Sequence, residues 1–225
     1  MKNGILIAAA LLITAAAGAE ASAQISMPRS IPGTGNTNSN AGNIGESQTT
    51  FFRNFQSSYV DIATAQAFLM DALNDREQAA ALRTQIASVQ GGSTDRDVLR
   101  RAVELSAQAS ETIGERTARG ETLSAESRAL FVQALPHLIR GTMSATRLPA
   151  EAQAFGSSAQ AAIGSAGMLE RARLTQSLSG GVYLASNLPG YVSTTADVYR
   201  RIISFAGSNN IAVPADGTAL LGTLE

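Results

Sequence analysis

The chain has 225 residues, a formal charge of −1 at pH 7, no Cys and no Trp. Without cysteine it builds no disulfide, no thiolate metal site and no cysteine nucleophile, and so small a charge offers no basic field to hold nucleic acid. Aromatic residues make up 5%, while Ala, Ser, Gly and Leu dominate, which suits helices packed through small side chains better than a sheet of β-branched residues.

Met1-Lys2-Asn3 is a short positive segment, Gly4–Ala17 an apolar run, and Ala21-Ser22-Ala23 a small-x-small site before Gln24. This is the pattern of a secretory signal peptide over residues 1–23, cleaved between Ala23 and Gln24. The run is short of the roughly 20 residues a bilayer span needs, so the mature chain is expected as a periplasmic or secreted protein with no transmembrane segment. Lys2 is the only lysine, leaving mature positive charge entirely to arginine, whose fork suits carboxylates and other anions; biased codon usage is the plainer account.

Residues 24–50 are rich in Ser, Asn, Gly, Pro and Thr, with too few large apolar groups to offset ordering entropy, and read as a disordered linker. From Phe51 to Leu73, Phe52, Phe55, Tyr59, Ile62, Leu69 and Leu73 mark a helical stripe interrupted by Gln66. Ala79, Leu82, Ile86 and Val89 then continue the rhythm rotated by about 100°, so a break is placed at Asn74-Asp75, with Asp75 and Gln78 at capping-box spacing. Gly91-Gly92 closes this helix.

A third helix is predicted from Asp95 to about Glu115, started by Thr94 and Asp97. A fourth is capped by Ser124 and carries Pro136 inside its apolar pattern, where the lost hydrogen bond predicts a kink. Leu148-Pro149 opens the next. Between Ala150 and Leu178 small residues such as Gly156, Ala159, Gly164 and Gly167 predict a central helix that others approach closely. Gly180-Gly181 is read as its breaker, Val182–Leu188 as a short helix, Pro189-Gly190 as a turn, and the segment to Ala206 as a helix started by Thr194 and Asp197.

Ser93–Val103 and Ser193–Ile203 resemble one another, and residues 55–105 echo 155–205 at a constant offset of 100. In both copies an Asp precedes an Arg by four positions (Asp97/Arg101, Asp197/Arg201), a spacing suited to a helical ion pair. A duplication would give two related halves with pseudo-two-fold symmetry; convergence on good helix-start chemistry is the rival. The expected fold is an all-α bundle of five to seven helices, forming a single domain over residues 51–225.

Candidate sites are few. His137 is the only histidine, one turn from Arg140, with no acid within a helical turn to orient it as an acid or base; a half-buried structural histidine is the plainer reading. Asp71/Asp75 and Glu111/Glu115 read as solvated surface and not as a metal site. No Gly-x-Ser-x-Gly elbow or phosphate loop occurs. The pairs Arg100-Arg101 and Arg200-Arg201 remain; if the halves are symmetric they present matching basic edges to an anionic partner, the alternative being ion-paired helix surface.

The reading is a non-catalytic binding or interaction module of the cell envelope, with no cofactor and no metal. Its partner would be an envelope protein or an apolar or anionic ligand. One alternative is a carrier of an apolar ligand or lipid inside the bundle, motivated by Pro136 and the small-residue helix. A carboxylate-dependent hydrolase is the remote alternative.

Overall fold

In the computed structural model, which describes residues 37–224, helix α1 (Thr37–Ala72) is the axis of the protein. Between Ile62 and Met70 only Thr64 and Phe68 are even half exposed, so this part of α1 is enclosed on every side, as a helix at the centre of a bundle must be. Ala63, Ala65 and Ala67, all buried, let neighbours come close. Gln66 is the polar residue in this wall, and its Nε2 donates to Ser106 O and Ser110 Oγ, both at 2.9 Å.

The linker reading of residues 24–50 is corrected where the structure reaches it, because the chain is helical from Thr37. Polar residues there extend a helix already nucleated by the apolar stripe, and the extension is tied down: Ile44 is buried and Gln48 Nε2 donates to Ser177 O at 3.0 Å. Tertiary contact has overridden weak local propensity. The signal-peptide reading and residues 24–36 lie outside the described residues.

The break at Asn74-Asp75 is present. Asn74 takes φ 62°, Asp75 N–H donates to Met70 O and Asn74 N–H to Asp71 O, a helix-ending pair of bonds that needs a left-handed residue. Asp75 then caps α2 (Arg76–Gln90) by accepting from Gln78 N–H. Helix α3 spans Arg96–Ala118. Its cap is not Thr94 but Asp95, whose carboxylate accepts from the N–H groups of Asp97 and Val98 at 2.8 and 3.3 Å. A carboxylate beside the orphan N–H groups is charge-assisted, which leaves the Thr94 hydroxyl without that role.

Helix α4 (Ala125–Ala145) begins at the Ser124 cap and continues through an exposed Pro136. Helix α5 (Leu148–Ser165) opens on Pro149, and α6 (Met168–Ser177) follows after Ala166-Gly167. The expected central helix at 150–178 is therefore two helices, and peripheral: α6 buries no residue, and a Cβ on Gly156, Gly164 or Gly167 would meet nothing within 4 Å.

Helix α7 runs unbroken from Ser179 to Ser208, so neither Pro189-Gly190 nor Thr194/Asp197 marks a boundary. Leu184, Leu188, Tyr191, Thr195, Val198 and Ile202 form one buried stripe across the proline, and their burial outweighs a proline cost of about 3 kcal/mol. Gly180 and Gly181 break nothing; they lie buried in the first turn of α7, where an added Cβ would stand 2.3 Å from Thr94 O and 2.6 Å from the Phe155 ring. A two-turn segment, α8 (Ala215–Leu221), ends the fold.

Among the described residues, seven helices of ten residues or more and α8 thus make an all-α bundle with one continuous cluster of buried side chains. Helix α4 lies antiparallel to α1 at a close crossing, where a Cβ on Gly141 would come within 2.8 Å of Ile62 N. Helices α3 and α7 run side by side and parallel, with Gly180 against Leu99 at one end and Gly114 against Arg201 at the other. No helix among the described residues is long and apolar enough to cross a membrane.

Candidate functional site

The two arginine pairs do not meet. Arg201 sits opposite Gly114, thirteen residues along α3 from Arg101, or about 20 Å. Parallel packing of α3 on α7 sets this spacing. In each pair the first arginine is bound locally, at i,i+3. Arg100 pairs with Asp97 at 3.3 Å and with Glu104, and Arg200 pairs with Asp197 at 2.8 Å while reaching Leu224 O. The expected Asp97/Arg101 and Asp197/Arg201 pairs are absent among the described residues, since the same carboxylates are taken by the nearer guanidiniums.

His137 and Arg140 meet an acid that sequence spacing did not offer. Asp61, from α1, places Oδ1 2.9 Å from both His137 Nδ1 and Arg140 Nη2. Asp61 is the only acid between Phe51 and Met70, and that isolation was the available signal. Arg140 Nη2 also stands 2.9 Å from His137 Nδ1. The Asp61 carboxylate only accepts, so Nδ1–H donates to it; Nδ1 then cannot also accept from Arg140, and that approach brings together two groups that share Asp61 and is not itself a hydrogen bond. Burial alone would raise the Asp61 pKa, but hydrogen bonds from Arg140 and His137 outweigh it and hold the carboxyl below its ordinary value. The Phe68 ring stacks on the imidazole at 6.1 Å. No hydroxyl among the described residues hydrogen-bonds to His137, and the cluster serves to lock α4 to α1 beside the Gly141 crossing.

A different surface has the shape of a binding site. Three adjoining hollows, of about 220, 450 and 580 Å³, line the seam between α3 and α7. The first shares Ala107, Ser110 and Thr194 with the second, and the second shares Arg201 with the third. The furrow exists because the facing residues are small. A Cβ on Gly190 would meet nothing within 4 Å, and one on Gly114 only Arg201 Cδ at 3.7 Å.

The furrow is graded in character. Its head is lined by Ser106, Ser110, Asn187, Thr194, Thr195 and Tyr191 together with Val103, Ala107 and Gly190, and by no charged residue. Its middle carries Glu111, Glu115, Asp197 and Arg201, and its far end Arg200, Arg201 and Asn209. Of the residues expected to bind, only Arg200 and Arg201 lie on it. The residues missed are the small and hydroxylated ones, which sequence reading treats as packing.

Among the described residues, Tyr59 OH, Gln66 Oε1 and Tyr191 OH are buried polar atoms with no hydrogen-bond partner. The Gln66 amide is one bond from the hollow, through Ser110 Oγ. Tyr59 and Tyr191 flank the Phe55 ring at centroid distances of 5.8 and 5.9 Å. Burial pushes both phenols far above their ordinary pKa, so they stay neutral. Tyr199, by contrast, is satisfied by donating to Gly217 O at 2.6 Å.

Among the described residues no group of three or more His, Asp or Glu is placed to hold a metal ion. Comparison with protein-family models, with curated proteins and with solved structures found no match for this chain. The fold and the furrow are therefore the ground for function.

Proposed function

We propose that this protein is a non-catalytic binding module of the cell envelope, secreted or periplasmic, that engages its partner along the α3–α7 furrow. The observation that carries this reading is the continuity of the three hollows on one seam. Thirteen residues of helix separate Arg101 from Gly114, about 20 Å, and the furrow is of comparable extent, which suits an extended ligand better than a compact one. Its uncharged head and charged middle give the ligand a direction. The N-terminal pattern at residues 1–23 supports the address. The interior-carrier alternative has less support, because these hollows lie at the helix surface and the positions that motivated it hold buried Phe131, Leu135 and Phe155.

The test is site-specific photo-crosslinking in intact cells. A benzophenone residue is placed at Ala107 or Glu111 in the furrow, or at Ser88 on the exposed side of α2. Adducts from the furrow positions alone support the reading, and their loss on filling the furrow with Gly190→Leu completes it. Equal adducts from Ser88, or none from the furrow, would sink it.

A further inference from the structure

At one place in the fold a cavity meets a buried polar group that lacks a partner. We infer that the head of the α3–α7 furrow is a recognition site for an uncharged, polyhydroxylated ligand of monosaccharide size, seated over Ser106, Ser110 and Tyr191. The inference rests on the furrow being the binding surface and names the class of ligand that surface takes.

Three observations converge. Among the described residues, three of the five buried side-chain polar atoms without a partner are Tyr59 OH, Gln66 Oε1 and Tyr191 OH, and of these residues only Tyr191 lines the hollow. A buried unpaired polar group is costly, about 1–3 kcal/mol, so the Tyr191 phenol at the wall of the hollow marks a place where a further partner is wanted. Tyr191 is only 6% exposed and lines the hollow, with the Ser106 hydroxyl beside its phenol. Ser110 Oγ already accepts from Gln66 Nε2, so its own proton is left to give to a ligand oxygen.

The second observation is the absence of charge. No Arg, Asp or Glu lines the head, and deep burial keeps both phenols protonated. An anionic or cationic group would lose its hydration here with no counter-charge in return. The third is the kind of hydrogen-bonding group present. Ser106, Ser110, Thr194 and Tyr191 are hydroxyls, each able to donate and to accept. A ligand whose own groups do both, several to a small ring, pairs with such a wall in either direction. The hollow of about 220 Å³ is smaller than sites for drug-sized molecules, which run from about 300 Å³ upward. The charged middle of the furrow then receives whatever the sugar-like unit is attached to.

The experiment is saturation-transfer NMR on the full mature chain, with glucose as the probe and glucuronate as its anionic counterpart. Transfer to glucose is expected, with glucuronate at least tenfold weaker. Tyr191→Phe should weaken glucose at least tenfold while its far-UV CD and melting curve hold. Since a buried tyrosine variant can fail to fold, Gly190→Leu serves as a second block, because its side chain enters open space at the hollow. No transfer to glucose, equal transfer to glucuronate, or transfer unchanged in well-folded Tyr191→Phe and Gly190→Leu would each overturn the inference. If glucose fails while furrow-specific crosslinks persist in cells, the binding-module reading stands and only the ligand class is wrong. If those crosslinks are absent, the failure lies with the furrow itself.

Discussion

Two helical glycines, Gly141 and Gly190, look alike in the sequence and have opposite jobs. At Gly141 a methyl group would stand 2.6 Å from Ile62 Cγ1 and 2.8 Å from Ile62 N, and backbone cannot step aside as a side-chain tip can. Gly141→Ala is expected to cost about 1–3 kcal/mol through overpacking. Gly190 faces open furrow, so Gly190→Ala only removes unfolded-chain entropy and is expected to stabilise by about 0.5–1 kcal/mol. Urea unfolding of both variants checks the pair, and similar midpoints would show that the α1–α4 crossing has room for a methyl group. Nearby, Asp61 ties His137 and Arg140 to α1. Its carboxyl titrates lower in the folded protein than in the unfolded chain, where an aspartate has a pKa near 4. The stabilisation is therefore whole above about pH 5 and drains away as pH falls through the lowered value. Asp61→Asn should destabilise at neutral pH by about 1–2 kcal/mol and flatten the acid limb of a stability-against-pH curve. An unchanged acid limb would mean the cluster contributes nothing to folding.

At the scale of elements, what was legible was periodicity and punctuation. The stripe from Phe52 to Leu73, the left-handed Asn74, the Ser124 cap and Pro149 at a helix start all act locally, so a short window of sequence contains their cause. What was hidden was whatever a distant segment decides. Pro189-Gly190 has every local mark of a turn, yet Leu188, Tyr191 and Thr195 are buried by tertiary packing and the helix continues. Gly180-Gly181 reads as a breaker and is instead the place where α7 touches Thr94 and Phe155. The α3 start sits between these cases: an Asp one residue beyond the expected Thr does the capping. Asp95→Ala is accordingly expected to lose about 1 kcal/mol of stability and Thr94→Ala next to nothing, as read by thermal unfolding. The reverse order would restore Thr94 as the cap. The repeated Thr-x-x-Asp motif thus straddles a helix start at α3 and lies wholly inside a helix at α7, and in both copies its Asp serves an i,i+3 ion pair, with Arg100 or Arg200, and not a cap.

Across the whole molecule, burial is concentrated around α1 and thins toward α6. Helix α6 buries no side chain, and Met168 and Leu169 at its start are 89% and 83% exposed. Its ties run to its neighbours in sequence, α5 and α7, with the Gln48–Ser177 hydrogen bond as its link to α1. A segment so placed opens without disturbing the core, since local unfolding costs only the contacts that are broken. Arg171 and Arg173 lie on it, both exposed. Within residues 37–224, trypsin is therefore expected to cut first after Arg171 or Arg173, and the nicked protein to keep its far-UV CD and to melt within a few degrees of the intact chain. Cleavage in native buffer, followed by intact-mass analysis of the first products, decides it. A first cut in α2 or α3, at Arg83 or Arg101, would mean that the walls of the furrow open before its far connection does. A preformed furrow needs the opposite order, because α3 and α7 are joined through α4, α5 and α6 and hold their parallel register by packing, not by a short turn. Nicking α6 removes the covalent link nearest α7 and leaves that packing to act alone, so retention of the melting temperature would show that the seam itself, with its uncharged head and charged middle, is the stable part of the protein.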